Sequence, residues 1–299
     1  MDWERSLTVF ARVAELSSFT KAAAALSLPK SRVSTVVRDL EDELGARLFH
    51  RTTRQVHLTR AGHALQLRAR DLLADLDELR AMFEERSSLR GRVRVDMPSR
   101  LAHELVIPEL PSFLDAHPNL EVELGCTDRF VDLVREGFDC ILRVGELRES
   151  SLIARRIGAF RMANFASPTY LARFGTPQTL DDLAAHRLIR YAGNFDGPVY
   201  GFEAMVDGVE ELVAMPISVT VNNAGSYTAT CLAGLGLIQV PDLAPIRALV
   251  DAGRLVEVLP AYRAESMPVS LLYAERRSLA KRVRVFMDWM AETLAPHLE

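Results

Sequence analysis

The sequence lacks the features that mark several common classes of protein. Its 299 residues include only three cysteines, Cys126, Cys140 and Cys231, which are odd in number and widely spaced. This spacing argues against a disulfide framework or a zinc site, and the seven histidines show no metal-binding spacing such as H-x-x-x-H. No run approaches ~18 consecutive apolar residues, so no membrane span is predicted.

Targeting and catalytic motifs are absent as well. The first ten residues, MDWERSLTVF, contain acidic side chains and no long apolar run, so no signal peptide is predicted. The sequence contains no G-x-S-x-G, P-loop or G-x-G-x-x-G motif, so nothing indicates a catalytic nucleophile or a cofactor. We therefore expect a soluble, cytoplasmic protein that is not an enzyme and holds no cofactor or metal.

Charge is distributed unevenly along the chain, although the net charge is only −4. Residues 1–70 contain 12 Lys and Arg against 7 Asp and Glu, whereas residues 71–299 contain 24 against 33. A basic segment joined to an acidic body is typical of a nucleic-acid contact module attached to a separate domain. The length suits two or three domains.

The pattern of residues 17–60 predicts two short helices joined by a tight turn, followed by a basic hairpin. Val33, Val36, Val37, Leu40 and Leu44 recur at helical spacing, so one face of the second helix is buried and the other is free. The free face carries hydroxyls and cations, which suits a helix that enters the DNA major groove. The predicted DNA-contact residues of this helix and hairpin are Lys30, Ser31, Arg32, Ser34, Thr35, Arg38, Arg51, Arg54 and Arg60.

A solvated basic face is the alternative interpretation of this segment. Arg38 in particular could pair with Glu41 or Asp42, one turn further along the helix. Thr20 is the predicted N-cap of the first short helix, and Gly45 is predicted to end the second.

A long helix is predicted from a cap at Thr59 to about Ser87. Its apolar residues alternate in steps of four and three over nearly three heptads, which favours pairing with a second copy of the chain. The alternative is an amphipathic helix that lies on its own domain. The apolar seam consists of Leu65, Ala69, Leu72, Leu76, Leu79 and Phe83.

From Arg92 onward, strands alternate with helices, which predicts an α/β subdomain with a largely parallel sheet and then a second unit of the same kind. In the first, strands are predicted at 93–97, 120–124 and 140–144 and helices over 101–114 and 130–135. In the second, strands are predicted near 160–165, 187–191, 217–221 and 238–240 and helices near 168–174 and 226–235, and a strand at 269–273 and a helix from 281 close the chain. If the chain returns to the first subdomain, crossings near 160–167 and 263–267 create a hinged cleft for a small ligand. Open α/β sheets bind ligands at the carboxyl ends of their strands. The ligand-contact residues predicted on this basis are Pro98, Ser99, Arg100, Thr127, Asp128, Arg143, Val144, Gly145, Asn222, Asn223, Ala224 and Pro241.

Ordinary loop capping is the alternative for any single one of these positions. Asp128 in a pocket would disfavour an anionic ligand, whereas Arg100 or Arg143 would favour one. Cys231 could sense redox state or electrophiles, although single buried cysteines are usually inert packing residues.

Five short motifs occur in a fixed order near the N-terminus. They are F-T-x-A-A-x-x-L at 19–26, V-S at 33–34, L-E-x-E-L-G at 40–45, R-L-F-x-R at 47–51 and L-T-x-A-G at 58–62. In this order and spacing they resemble the LysR-type transcriptional regulators. Looser cues, including H-P-N-L-E-V at 117–122 and A-G-L-G-L at 233–237, extend the resemblance over essentially the whole chain.

The resemblance implies an α/β protein overall. An N-terminal all-α winged helix-turn-helix and a long linker helix precede two Rossmann-like subdomains of the periplasmic-binding-protein (type 2) kind. The implied domains are 1–59 for DNA binding, 60–88 for dimerisation and 89–299 for effector binding. Subdomain I would cover about 92–160 and 268–299, and subdomain II about 161–267.

The resemblance also implies partners. These are double-stranded promoter DNA, a small-molecule effector such as an organic acid or aromatic compound, RNA polymerase, and a second copy through the linker helix in a homodimer or homotetramer. Many family members carry Ser-Gln and a small residue where this chain has Pro29, Lys30 and Arg32, which leaves base preference open. The alternative function is a cytoplasmic solute-binding or metabolite-buffering protein without regulatory DNA activity.

Overall fold

The computed structural model describes residues 2–51, 56–81, 89–147, 150–192, 201–274 and 279–299. The chain divides into two compact units, residues 1–89 and residues 90–299. Each unit buries its own set of apolar side chains. Within the described ranges, no helix has the length and apolar character needed to cross a membrane.

The described part of the N-terminal unit combines four helices with a short hairpin. Its elements are α1 (Trp3–Leu16), α2 (Phe19–Ala25), α3 (Lys30–Leu44), β1 (Phe49–Arg51), β2 (Val56–Leu58) and α4 (Arg60–Ala81). The Asp2 carboxylate caps α1 by accepting a hydrogen bond from the backbone N–H of Arg5 at 3.1 Å. The prediction of Thr20 as the cap of α2 is wrong: Ser18 is the cap, because its hydroxyl accepts from the Lys21 N–H at 3.2 Å.

Helix α3 is delimited by a proline and a glycine. Pro29 precedes it in an extended conformation, and Gly45 ends it in the left-handed region at φ 61°, where glycine carries no steric penalty. Val33, Val37 and Leu40 are completely buried in the core of the unit. One face of α3 is therefore buried as its periodicity predicts, except that Leu44, the last residue of the helix, is 39% exposed.

The hairpin is anchored to the same core through one aromatic side chain. Strands β1 and β2 pair antiparallel, with Phe49 opposite Leu58. The Phe49 ring lies 5.4 Å from the ring of Phe10 and 5.7 Å from that of Phe19, measured between centroids. These contacts set the position of the hairpin relative to α3.

Helix α4 begins at its predicted cap. The Thr59 hydroxyl accepts a hydrogen bond from the Gly62 N–H at 3.0 Å. A Cβ atom at Gly62 would lie 2.1 Å from the carbonyl oxygen of Leu48, far inside van der Waals contact. Only glycine therefore allows the first turn of α4 to approach the start of the hairpin this closely.

The C-terminal unit contains two groups of strands and helices. The first subdomain comprises β3 (Gly91–Met97), α5 (Ser99–Leu101), a π-helical turn (Ala102–Val106), α6 (Leu110–Ala116), β4 (Leu120–Cys126), α7 (Leu133–Glu136), β5 (Cys140–Val144), β6 (Leu152–Phe160), β14 (Met267–Ala274), α11 (Lys281–Leu294) and a 3-10 turn (Ala295–His297). The second subdomain comprises β7 (Met162–Ala166), α8 (Pro168–Phe174), a 3-10 turn (Asp181–Ala185), β8 (Leu188–Tyr191), β9 (Phe202–Val206), β10 (Val209–Val213), β11 (Ile217–Val221), α9 (Ala224–Leu232), β12 (Ile238–Pro241), α10 (Ala244–Asp251) and β13 (Val256–Glu257).

The sheets are mixed rather than largely parallel, which corrects the prediction. In the five-stranded sheet of order β4-β3-β5-β14-β6, β3 pairs parallel with β4 and β5, but β14 pairs antiparallel with β5 and β6. The reason is that β14 enters the sheet on the return from the second subdomain, against the direction of its neighbours. In the second subdomain β8 and β11 are parallel, whereas β12 and β13 flank β7 antiparallel.

The two chain crossings between the subdomains lie beside a chain of ion pairs. Arg161, the residue between β6 and β7, donates to the Asp242 carboxylate at 2.6 Å. Arg247 bridges Asp242 and Glu257, and Glu257 accepts from Arg263 at 2.5 Å. These contacts hold both crossing segments against the second subdomain.

Some elements depart from the predicted pattern. The helix expected over residues 101–114 is divided between α5, the π-helical turn and α6, because Pro108 supplies no backbone donor where the break occurs. The helix expected over 130–135 is the shorter α7. Strand β6, the β9–β10 hairpin and α10 have no counterpart in the prediction.

Candidate functional site

The α3 face opposite the buried one is polar and accessible. Four of the predicted DNA-contact residues on this face are exposed: Lys30, Ser31, Arg32 and Arg38. Two others, Ser34 and Thr35, are half-buried. The guanidinium of Arg38 lies 3.9 Å from the carboxylate of Asp39, both largely exposed. Among the described residues, no hydrogen-bond or ion-pair partner contacts the side chain of Lys30 or Arg32. Their charges are therefore available to a ligand.

One carboxylate of α3 points inward. Glu41 is 3% exposed, and it accepts hydrogen bonds from the backbone N–H groups of Leu48 at 2.8 Å and Phe49 at 3.3 Å. Arg47 adds an ion pair at 3.2 Å. Glu41 therefore holds the start of the hairpin against α3, a role that its position in the sequence does not reveal.

The hairpin cations are only partly described. Arg60 is exposed at the first position of α4, next to the end of β2. Arg51 is the last residue of β1, and only its backbone is described. Arg54 lies outside the described residues. The contribution of these cations to DNA binding stays a prediction.

The apolar seam of α4 changes character along its length. Ala69 is completely buried and Leu65 partly buried against the core of the N-terminal unit, as the single-helix alternative requires. Further along the helix the seam is open to solvent, with Leu72 52%, Leu76 36% and Leu79 56% exposed. Phe83 lies outside the described residues. The second half of the seam is thus an apolar stripe that no described residue of its own unit covers.

A cavity of about 340 Å³ lies between the two subdomains of the C-terminal unit, within the range of small-molecule sites. It is bounded on one side by residues that follow β3, β4 and β5, and on the other by β8, β9, β12 and the start of α9. Its lining residues are Pro98, Arg100, Leu101, Thr127, Asp128, Arg129, Phe130, Arg143, Val144, Phe160, Met162, Leu188, Ile189, Arg190, Tyr191, Gly201, Glu203, Ala224, Tyr227, Gln239, Val240, Pro241, Leu243 and Met267.

A buried ion pair lies at the base of the cavity. The guanidinium of Arg143, 11% exposed, donates to the completely buried carboxylate of Asp96 at 2.8 Å. The hydroxyl of Thr127 donates to the same carboxylate at 3.1 Å. Burial raises the pKa of Asp96, and the hydrogen bond and charge of Arg143 oppose that rise. Most of the charge of Arg143 is therefore compensated within the protein.

Asp128 joins the two subdomains. One oxygen accepts from the backbone N–H and the hydroxyl of Ser99, at 2.9 and 3.0 Å, at the start of α5. The other accepts at 2.8 Å from the N–H of Ala224, the first residue of α9 in the second subdomain. Arg100 reaches across in the same direction and donates to the Ala224 carbonyl and the Thr228 hydroxyl. We call these contacts the Asp128–Arg100 clasp.

Each of the two units contains a match to a protein family. Residues 5–63 match the bacterial regulatory helix-turn-helix domain of the lysR family, and residues 86–295 match the LysR substrate binding domain. The chain belongs to the LysR family of bacterial transcriptional regulators.

Individual LysR-type proteins resemble the chain over its full length. The uncharacterized HTH-type transcriptional regulator YhjC of Escherichia coli is 44% identical over 301 residues, with all of both chains covered. An HTH-type transcriptional repressor of Pseudomonas aeruginosa is 35% identical and covers 100% of this chain and 94% of its own. The solved structure of CrgA, a LysR-type regulator of Neisseria meningitidis, is 29% identical, has a TM-score of 0.61 and covers 97% and 98% of the two chains.

The family membership confirms the resemblance found in the sequence. This LysR-type regulator combines a helix-turn-helix DNA-binding domain with a two-subdomain α/β effector domain. Members of the family bind promoter DNA and small-molecule effectors and assemble as oligomers. The hypothesis of a solute-binding protein without regulatory DNA activity is therefore not supported, and the relatives named above are regulators rather than enzymes.

The regulator gathers most of the predicted ligand-contact residues around its cavity. Pro98, Arg100, Thr127, Asp128, Arg143, Val144, Ala224 and Pro241 are among the lining residues. Ser99, Gly145, Asn222 and Asn223 were also predicted but are not among the described residues that line the cavity. Ser99 is engaged by Asp128, Asn223 caps α9 through the Ser226 N–H at 2.8 Å, and Asn222 accepts from the Asn223 amide. Loop capping therefore accounts for Asn223, as the alternative foresaw.

Several lining residues of the regulator were missed in the sequence. Tyr191 ends a strand that was predicted, so the rule of strand carboxyl ends could have found it. Glu203 belongs to the unpredicted hairpin, and Gln239 and Tyr227 lie within elements rather than at their ends. No sequence signal distinguishes these three from ordinary core or surface residues.

The cysteines of the regulator are mainly packing residues. Cys231 is completely buried among apolar side chains, and burial raises its thiol pKa to about 12. Burial likewise raises the pKa of Cys140. A thiol that stays protonated is a poor nucleophile, which disfavours the sensor hypothesis for Cys231.

Proposed function

We propose that this regulator binds promoter DNA through the polar face of α3, with the hairpin cations on flanking phosphates. The observation that carries the proposal is the division of α3 into a face buried in the core and an opposite face on which Lys30 and Arg32 have no partner among the described residues. Residues at the start of such a helix contact base edges in the major groove. In this proposal residues 1–59 contact DNA, 60–88 form the dimer and 89–299 bind the effector.

The test uses the full-length protein and DNA fragments recovered by genomic binding-site mapping. Arg32→Ala is expected to weaken binding about tenfold and to reduce the salt slope of the affinity by about 1. The matched control is Arg12→Ala, which removes an exposed cation of α1 that pairs with Glu15. Equal affinities for Arg32→Ala and Arg12→Ala, or an affinity insensitive to salt, would contradict the proposal.

The cavity between the subdomains is the proposed effector site. Its volume, its apolar floor and its position at the carboxyl ends of β3, β4 and β5 support binding of one small organic acid or aromatic compound. Because the Asp128–Arg100 clasp crosses from one subdomain to the other, a ligand that alters it would change their relative position. The expected readout is an effector-dependent change in promoter affinity.

The remaining assignments concern assembly and location. The exposed stripe of Leu72, Leu76 and Leu79 supports a homodimer through α4, and two dimers would form a tetramer. We place the regulator in the cytoplasm, where promoter DNA and RNA polymerase are its macromolecular partners, and assign it no catalytic role. Leu76→Asp is expected to convert the dimer to monomers in sedimentation analysis.

A further inference from the structure

Each arginine of the cavity wall is already engaged by the protein. Arg143 pairs with Asp96, and Arg100 takes part in the clasp. Arg129 forms two parallel hydrogen bonds with Glu136, at 2.9 and 2.5 Å. Arg190 has an interaction of its own as well. A ligand carboxylate would therefore have to compete with existing partners for every one of these cations.

The helix starts that could bind an anion are also taken. The N–H groups of Ser99, at the start of α5, and Ala224, at the start of α9, donate to the carboxylate of Asp128. An incoming anion would need to displace this carboxylate and would be repelled by it. The Asp128 carboxylate thus occupies the helix N-termini at which the sequence predicted that an anionic ligand would bind.

Glu203 differs from these arginines, because it is a charged residue of the cavity wall whose side chain has no partner among the described residues. On β9 its neighbours Phe202 and Ala204 are completely buried in the apolar core, so the alternation of the strand turns Glu203 to the other side, where it lines the cavity. Its backbone is fixed by Gln239, which accepts from the Glu203 N–H at 2.9 Å and donates to the Glu203 carbonyl at 2.7 Å. In the described part of the chain, its carboxylate has no hydrogen-bond or ion-pair partner.

The surroundings of this carboxylate favour a ring. Tyr191, 40% exposed, packs edge-on against the buried Tyr227 with a centroid distance of 5.5 Å. Phe160, Met162 and Leu243 supply a buried apolar floor. Burial, together with the nearby charge of Glu210, raises the pKa of Glu203, in keeping with a carboxylate that has no counter-ion among the described residues.

We propose that the effector is a small aromatic compound whose amine or comparable hydrogen-bond donor binds the Glu203 carboxylate, rather than a simple organic acid. This inference rests on the proposed function of the cavity as the effector site. The ring would lie on the apolar floor beside Tyr191, and the donor would supply the partner that Glu203 lacks. Glu203 is thus the residue that selects the charge of the ligand.

The test compares three probes of the same size on the full-length protein: benzylamine, benzyl alcohol and benzoate. Their dissociation constants are measured by calorimetry for the wild type, for Glu203→Gln and for Glu210→Gln. The last variant is the matched control, because it removes an equivalent charge from the exposed neighbouring strand and leaves the cavity lining intact. Thermal melting of each variant verifies that it is folded.

The expected result is that the wild type binds benzylamine at least about tenfold more tightly than benzoate, the scale of one hydrogen bond to a charged group. Glu203→Gln should reduce this preference to about twofold or less, and Glu210→Gln should retain most of it. Tighter binding of benzoate, an unchanged preference in Glu203→Gln, or no binding of any probe would overturn the inference. Failure of the proposed function gives a different result, since benzylamine would then bind without changing promoter affinity.

Discussion

Arg32 on α3 and Arg143 on β5 carry the same charge in opposite surroundings. Arg32 is exposed and has no partner in the described part of the chain, whereas Arg143 is 11% exposed and pairs with a carboxylate that is completely buried. The N-terminal unit thus presents its cations outward, and the C-terminal unit neutralises those of its cavity internally. The sequence alone does not distinguish an exposed arginine such as Arg32 from a buried, paired one such as Arg143.

Because of this difference, removal of an exposed arginine and removal of a buried one should affect different properties of the protein. Removing an exposed cation should weaken DNA binding and leave the free energy of unfolding nearly unchanged, since surface substitutions usually change it by less than about 0.5 kcal/mol. Removing a cation from a buried pair leaves a desolvated carboxylate behind and should destabilise the fold. The comparison can be tested from either side.

The largest effect is expected for Arg143→Met, which keeps most of the side-chain volume and removes the charge. It should lower the free energy of unfolding by about 3 kcal/mol at pH 7, because ionised Asp96 loses its counter-ion. Burial already raises the pKa of Asp96 in the native state, and loss of Arg143 raises it further. The penalty should therefore shrink as the pH falls and Asp96 becomes protonated.

Urea unfolding across pH provides the measurement for this variant. Arg155→Met is the control, since Arg155 and its partner Asp288 are both more than 40% exposed, and exposed pairs contribute little. The double variant Arg143→Met/Asp96→Asn should recover part of the lost stability. If Arg143→Met and Arg155→Met lower the free energy of unfolding equally, then burial of the ion pair does not determine its contribution to stability.

A somewhat smaller effect, which also shrinks on acidification but only below the ordinary pKa of 3.8, is expected for Asp242→Asn at the chain crossings. Burial acts to raise the pKa of Asp242, but hydrogen bonds and charge from Arg247 and Arg161 outweigh it and leave that pKa lowered. A lowered pKa means stability that is full above the ordinary value of 3.8 and is lost as the pH falls through the native-state pKa. Asp242→Asn should therefore cost about 2 kcal/mol at pH 7.

The wild type and Asp242→Asn should converge in urea unfolding as the pH falls from 3.8 through the lowered native-state pKa of Asp242, because the unfolded and then the native wild-type carboxylate become protonated. The exposed Asp288→Asn substitution serves as the control and should change stability by less than about 0.5 kcal/mol. A loss for Asp242→Asn that grows on acidification would show that the ion-pair chain does not stabilise the crossings.

The same contrast explains what the sequence could predict. The cap at Thr59, the end of α3 at Gly45 and the buried α3 face follow from local rules of spacing and capping, and the structure confirms them. Glu41 could not be assigned locally, since its partners, the N–H groups of Leu48 and Phe49, come together only through the fold.

The cavity shows where local rules stop. The carboxyl ends of β3, β4 and β5 were predictable, because sheet geometry alone brings them together. The part of the facing wall formed by β9 and Glu203 was not predictable, since no strand was predicted there and its position depends on pairing with β10 and contact with Gln239. Whether a charged side chain on either wall has a counter-ion depends on residues that are distant in the sequence, so local sequence patterns cannot predict it.

The smallest effect is expected for Arg38→Ala on the DNA-contact face itself. Arg38 lies two turns along α3, beyond the initial residues that contact bases most closely in such helices, and the Asp39 carboxylate 3.9 Å away offsets part of its attraction to phosphate. Arg38→Ala should weaken DNA binding only about threefold, against about tenfold for Arg32→Ala. Asp39→Asn should strengthen binding by about twofold when Arg38 is present and by less when it is absent, because the offset acts mainly through that pair. A tenfold loss for Arg38→Ala would mean that partner-free cations are not the ones that bind DNA most strongly.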